Sequence, residues 1–280
     1  MENNKLKFKK KNIILLVILI VSVSVLTYNV TVLVRWAIDR NKIIEETKYI
    51  EEIIEVVETK DTEEAEITNP PEAQEPNDYW DYVNLPFINV NLTELKKVNK
   101  DTVGFISVAG TNINYPVVQA RDNKYYLDHS FQKKRNGAGW VFMDYRNNSD
   151  FSDKNIVIYG HGRLDTTMFG SLKNILETDW VNDKNNYTIR YVTGTETMLF
   201  QVFAVYTIPQ ESYYIETVFD SDTEYKEWLN TMINRSKYDF KTTINEKDKI
   251  LTLSTCKEYS DGKERVVMHS KLIKKTKLKN

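Results

Sequence analysis

The chain has 280 residues, with 38 Lys and Arg against 40 Asp and Glu and a formal net charge of −2. That length holds one full domain of ordinary size plus further parts, and the near-neutral balance excludes the global basic field that nucleic-acid binding requires. One cysteine and three histidines, with no paired-cysteine spacing, no His-Glu-x-x-His, no EF-hand loop and no Walker-type phosphate loop, leave no pattern for a metal or another cofactor.

Lys5, Lys7, Lys9, Lys10 and Lys11 precede an uncharged run, IILLVILIVSVSVLTYNVTVLV, from Ile13 to Val34. A helix of about 20 apolar residues crosses a bilayer, and the leading lysines assign the N-terminus to the cytoplasm. A cleaved signal peptide has a shorter apolar region ending at a small-x-small site. This run ends in TVLVRWAIDR, so an uncleaved anchor is expected. The organisation read from the sequence is a basic cytoplasmic tail over 1–12, a transmembrane anchor over 13–34, a juxtamembrane helix and linker over 35–77, and an extracellular globular domain over 78–280.

After the anchor, Ile43, Ile44, Ile50, Ile53, Ile54 and Val57 recur at near-helical spacing and predict an amphipathic helix. The next stretch, DTEEAEITNPPEAQEPND, is acidic and proline-containing, with too little apolar surface to order itself, and reads as a spacer. From Asp78 the composition becomes globular. LTELKKVNK predicts a short helix, and TVGFISVAG and TNINYPVVQ predict strands. A helical turn at NKYYLDHS comes before strands in GAGWVFMDY and NIVIYGH. TTMFGSLKNIL reads as a helix capped by Asp165 or Thr166. NYTIRYV and ETMLFQVFAVYTI form a long hairpin turning near Gly194. SDTEYKEWLNTMINRSKY is helical, with Tyr225, Trp228, Leu229 and Met232 on one face. KILTLSTC and RVVMHSKLI close the chain as strands. Short strands with inserted helices argue for a closed or nearly closed β-barrel with helical decorations, not a doubly wound sheet.

The lone Cys256 is a reactive thiol, half of an intermolecular bridge, or a small buried hydrophobe. It ends the strand-like ILTLST, His161 ends NIVIYG between two glycines, and Arg265 opens the strand nine residues after the cysteine. A returning loop brings Arg265 back beside Cys256, so all three can converge on one edge of a sheet. A nucleophilic mechanism needs such a set: a thiolate, a proton carrier and a group to hold an oxyanion. Taken singly, each has a plainer reading, as a core thiol, a hydrogen-bonded rim histidine and a solvated cation. His129 and His269 fall outside the pattern.

TLSTC at Thr252, Leu253, Thr255 and Cys256, with YGH upstream and an arginine shortly after, resembles the sortases, membrane-anchored cysteine transpeptidases of Gram-positive bacteria. GFISVAGTNINYPVVQARDNKYYLDHSF, GWVFMDYRN, YGHGRLDTTMFGSLKNI and the helix at 221–237 resemble class B sortases in particular, and the likeness runs from Tyr79 to Leu272. The resemblance implies a mainly β fold, an eight-stranded barrel with peripheral helices behind the anchor. It implies that Cys256 attacks a sorting pentapeptide near the C-terminus of a surface protein, that His161 protonates the leaving amine, and that a peptidoglycan precursor or crosslink amine resolves the thioester. Arg265 binds substrate and helps hold the oxyanion. Asn123, Leu127, Ser254 and the adjoining Thr255 are the implied substrate contacts, with Tyr213, Tyr214 and Ile215 as a groove wall. Which sorting motif and which amine are used stay open. A papain-like protease has the opposite cysteine–histidine order. The alternative from another class is a catalytically silent wall-binding or sensor domain on the same barrel.

Overall fold

A computed structural model of the chain describes residues 2–59, 65–71, 78–209, 211–255 and 264–278. Two units pack separately, one up to Lys42 and the other from Ile43 onward. Helix α1, Glu2–Ile53, makes up the first unit and extends into the second. Within the first, the apolar side chains between Ile13 and Val34 stand exposed, and the helix is long and apolar enough to cross a membrane. Its polar side chains suit that solvent. Thr27, Asn29 and Thr31 each donate to the carbonyl four residues back, at 2.7–2.8 Å, which leaves few polar atoms needing water.

The second unit is built on eight strands: β1 Thr102–Val108, β2 Asn114–Val118, β3 Phe142–Met143, β4 Asn155–Gly160, β5 Thr188–Val192, β6 Glu196–Pro209, β7 Ile250–Thr255 and β8 Glu264–Lys277. Around the barrel they run β7-β4-β3-β2-β1-β5-β6-β8, and pairing of β7 with β8 closes the ring. β4 and β7 are parallel, in register from Ile250↔Asn155 to Thr255↔Gly160. Both are buried throughout, as expected for strands covered on both faces. The long β6–β8 pair carries register shifts at His269/Ser270 and Leu272/Lys274. Such bulges supply the extra bend that barrel closure requires.

Two apolar layers follow from strand alternation. Leu251, Leu253 and Met268 belong to the main core, while Ile250 and Val267 face a second layer under helix α2, Asp222–Arg235. Ser221 caps α2, accepting from Glu224 N at 3.2 Å, and Tyr225, Trp228, Leu229 and Met232 form its buried face. That helix and the β5–β6 hairpin lie where the sequence places them.

Three local features add to or differ from the expectations. The second packed unit starts at Ile43. Ile43 and Ile50 are in the core, Val56–Thr59 pairs with Phe87–Val90, and Glu66–Ile67 of the acidic stretch adds an edge to β8 opposite Lys275 and Lys274. The isoleucine stripe was legible, but not the protein surface that receives it. TTMFGSLKNIL is not a capped α-helix: Thr166 and Met168 take φ of +63° and +52°, and a 3-10 helix starts only at Gly170. Asp165 instead pairs with Arg163 at 2.8 Å and accepts from Thr167 N at 3.2 Å. The strand in GAGWVFMDY shrinks to Phe142–Met143.

Candidate active site

The parallel register of β4 and β7 sets the site. Gly160 and Thr255 are partners in that ladder, so the residues directly preceding His161 and Cys256 in the chain lie side by side. Cys256 itself falls outside the described residues. His161 is half-buried, and its Nε2 lies 2.7 Å from the carbonyl of Leu127. Gly139 closes on the ring from another side. With φ of +61°, it would place a Cβ 2.9 Å from His161 Cδ2 and 2.5 Å from the Tyr126 carbonyl, so only glycine passes there. Sequence reasoning missed this residue; its one signal was its place in the GAG turn.

Arg265, second residue of β8, donates from Nη1 to the Thr255 carbonyl at 2.9 Å. This brings the guanidinium to the end of β7, next to the position from which Cys256 follows. Thr255 is buried, and its Oγ1 accepts from Val266 N at 2.9 Å. Its side chain therefore ties β7 to β8.

A cleft of about 410 Å³ opens at this edge. Its floor is Phe142 and Tyr159, register partners on β3 and β4 with rings 5.3 Å apart. Asn123 and Leu127 line one side, Glu211, Ser212, Tyr214 and Ile215 the other, and Arg265 closes an end. Ser254 is the β7 partner of Tyr159. It is buried, and its Oγ lies 2.9 Å from the Tyr214 hydroxyl, so it supports the wall from beneath.

Of the expected groove residues, the structure brings Asn123, Leu127, Tyr214 and Ile215 to the cleft. Tyr213 is directed elsewhere. Its ring lies under the Arg235 guanidinium at 4.7 Å, and its hydroxyl is buried without a hydrogen-bond partner among the described residues. Burial raises its pKa, and the Arg235 charge offsets part of that rise. Successive side chains of the 3-10 helix Tyr213–Ile215 point about 120° apart, so Tyr214 enters the groove wall while Tyr213 packs on α2. Among the described residues no cluster of His, Cys, Asp and Glu could hold a metal.

A barrel that brings Gly160, Thr255 and the Arg265 guanidinium together at neighbouring strand ends beside an open cleft, with a histidine and the lone cysteine next in sequence, matches the class of cysteine acyl-transfer enzymes. The sortase domain family matches residues 106–273, and the chain belongs to that family. Sortase B of Listeria monocytogenes is 39% identical over 187 residues, covering 66% of this chain and 74% of that protein. Sortase B of Staphylococcus aureus is 35% identical over 181 residues, covering 64% and 73%. Among solved structures, sortase B from Bacillus anthracis in complex with AAEK1 superposes with a TM-score of 0.60 at 42% identity, over 65% of this chain and 84% of that one. A Staphylococcus aureus sortase B–substrate complex gives 0.61 at 34% identity, over 65% and 84%. The chain is thus a class B sortase and a cysteine transpeptidase.

Proposed function

We propose that this sortase cleaves a C-terminal sorting pentapeptide of surface proteins and joins the freed carboxyl end to a peptidoglycan amine, with Cys256, His161 and Arg265 as its catalytic residues. The observation carrying this reading is the Gly160↔Thr255 register with Arg265 Nη1 on the Thr255 carbonyl. It gathers the residue before the histidine, the residue before the only cysteine and the guanidinium at the mouth of one peptide-sized cleft.

In the proposed reaction the Cys256 thiolate attacks the scissile carbonyl, forming a C–S bond and a tetrahedral oxyanion. Arg265 faces that oxyanion with a planar fork of donors. Collapse breaks the C–N bond, and His161 delivers a proton to the departing amine. The acceptor amine then attacks the thioester and gives up a proton to the now neutral His161, and breaking of the C–S bond releases the thiolate, which restores both Cys256 and His161. A free thiol is only a few per cent ionised at neutral pH, and neighbouring His161 and Arg265 cations favour its ionised form. The short bond from His161 Nε2 to the Leu127 carbonyl fixes the ring plane.

Asn123, Leu127, Tyr214 and Ile215 are the proposed peptide contacts, with Ser254 and Thr255 behind them. Residues 13–34 anchor the chain in the membrane, the basic tail over 1–12 lies in the cytoplasm, and the unit from Ile43 faces outward. A sorting-signal substrate is also the simplest reading by analogy with the related sortase B–substrate complex.

The test is intact-protein mass spectrometry of the full chain in detergent, mixed with a panel of sorting pentapeptides. The expected result is a mass gain equal to the N-terminal peptide fragment, absent in Cys256→Ala. An unreactive Cys256 with no adduct on any peptide would overturn the reading in favour of a silent binding or sensor domain.

A further inference from the structure

The cleft wall at Tyr214 and Ile215 belongs to a short 3-10 helix, Tyr213–Ile215, and this segment is fixed from four directions by side chains of other elements. Trp228 Nε1 donates to the Tyr213 carbonyl at 2.8 Å, Arg146 Nη2 to the Ile215 carbonyl at 2.8 Å, and Asn155 Nδ2 to the Glu216 carbonyl at 2.8 Å, while the Tyr214 hydroxyl meets Ser254. Arg146 differs from the other three because the same guanidinium also pairs with Asp144, the carboxylate that holds Asn123. Its Nε and Nη2 lie 3.0 and 2.9 Å from the two carboxylate oxygens of Asp144. Asp144 has no exposed surface, and it also accepts from Arg146 N at 2.9 Å, Asn123 Nδ2 at 3.0 Å and the Tyr159 hydroxyl at 2.9 Å.

One buried carboxylate therefore holds a residue of the near side, Asn123, and a residue of the floor, Tyr159. Through Arg146 it also holds the far wall at Ile215. Asn123 is further fixed because its Oδ1 accepts from Tyr145 N at 3.0 Å, so its amide cannot turn over without losing both bonds. Burial alone would raise the Asp144 pKa. The Arg146 hydrogen bonds and charge, with the Tyr159 hydroxyl, outweigh that effect and leave it below the usual carboxylate range. The Arg146 pKa is raised in turn, first by its hydrogen bonds to Asp144. The pair is ionic across the working pH range, and an ionic bidentate pair holds its geometry more firmly than neutral contacts do.

We infer that Asp144 and Arg146 are positioning residues that set the width of the substrate cleft by tying its two walls and floor to one buried carboxylate. This inference rests on the reading of the cleft as the peptide groove. Neither residue touches the reacting atoms, so their influence belongs in peptide affinity and not in the chemistry of Cys256. A lysine at 146 cannot reproduce the fork, since a point charge cannot span the carboxylate and the Ile215 carbonyl together.

The test uses the full chain in detergent with Arg146→Met and Arg146→Lys. It measures kcat and KM for a cleaved sorting peptide, the rate of Cys256 alkylation by iodoacetamide, and the thermal midpoint. The expected result for Arg146→Met is a rise in KM of about tenfold or more, as for loss of a charge-assisted hydrogen bond, with kcat and alkylation changed less than about threefold. Arg146→Lys should recover only part of the affinity. An unchanged KM in Arg146→Met, or a fall in kcat and alkylation with KM unaltered, overturns the inference. Failure of the underlying reading looks different: the unaltered enzyme itself then turns over no peptide, and peptides do not slow whatever alkylation Cys256 shows.

Discussion

Acidification from pH 7.5 to 5 should weaken the folded state through a residue that takes no part in catalysis, His269. The imidazole is fully buried on β8 against Phe203, Tyr206 and Trp228. Its Nε2 lies 2.7 Å from the Tyr206 hydroxyl, and its Nδ1 lies 2.8 Å from Thr252 Oγ1, which itself donates to Asn155 Oδ1 at 2.7 Å. Because the threonine proton is used on Asn155, Nδ1 carries the ring proton and Nε2 accepts from tyrosine. A second ring proton would displace the Tyr206 bond inside an apolar layer. Burial accordingly depresses the pKa from 6.5 to about 3. The sign follows directly: below 6.5 the unfolded chain binds a proton that the folded chain refuses, so stability present at neutral pH is lost as the pH falls. At 1.36 kcal/mol per unit the loss is about 2 kcal/mol by pH 5 and about 3 kcal/mol by pH 4. The wild-type curve alone mixes signs, because burial raises the Glu46 and Asp248 pKa values, and those two groups add stability as they protonate. The difference between wild type and His269→Gln, which keeps a donor and an acceptor, isolates the imidazole. Urea unfolding of both proteins in detergent should show the gap shrinking by about 2 kcal/mol between pH 7.5 and 5. A gap constant within about 0.5 kcal/mol would refute the reasoning, as would a His269 ring resonance titrating near its ordinary value.

Gly139→Ala should lower peptide kcat/KM by about tenfold or more, because its φ of +61° and the 2.9 Å approach to His161 Cδ2 leave a methyl group no room; unchanged kinetics would mean the ring does not need that contact. Arg265→Lys should reduce kcat/KM about 10²-fold, as for removal of an oxyanion donor, and a near-normal rate would show that charge alone suffices. Glu46→Ala should cost about 1–2 kcal/mol in urea unfolding, since the buried carboxylate accepts from Ser130 Oγ at 3.1 Å and from the Gln132 amide. A chain beginning at Asp78 should lose more than a chain beginning at Ile43, because the shorter one also lacks Ile43 and Ile50 from the core. Equal stability of the two would show that this part of α1 adds nothing to the fold.

Much of the fold was legible because its signals are local. Ile156–Tyr159 is a continuous apolar run, and Ile250, Leu251 and Leu253 stand among small hydroxyl residues in ILTLST, so both read as buried strands without a known partner. The α2 face repeats at helical spacing, and Ser221 is an ordinary cap. The features that escaped depend on distant chain. The Ile43–Ile50 stripe fits a surface helix equally well until a receiving surface is known. Glu66 lies in a stretch whose charge argues for solvent, yet Lys275 Nζ lies 3.5 Å from its carboxylate and Ile67 pairs with Lys274. Residues 166–168 have helix-compatible side chains, and only the Arg163–Asp165–Thr167 cluster shows why the chain there turns otherwise.

The candidate site divides along the same line. Strand ends are readable, so the edge positions of Gly160, Thr255 and Arg265 followed from strand-like runs that stop or start there, while Cys256 itself lies outside the described residues. The groove is not readable in this way, because its parts are joined by side-chain bonds across long separations. Tyr213, Tyr214 and Ile215 are adjacent in sequence, but Tyr214 reaches Ser254, 40 positions away, and Ile215 is held by Arg146, 69 positions away. Tyr213 leaves the groove for Arg235. Rigid strands thus carry the proposed reacting groups, while buried polar ties shape the space in front of them. Substitutions among those ties should therefore alter which peptides bind before they alter how fast a bound peptide is cut.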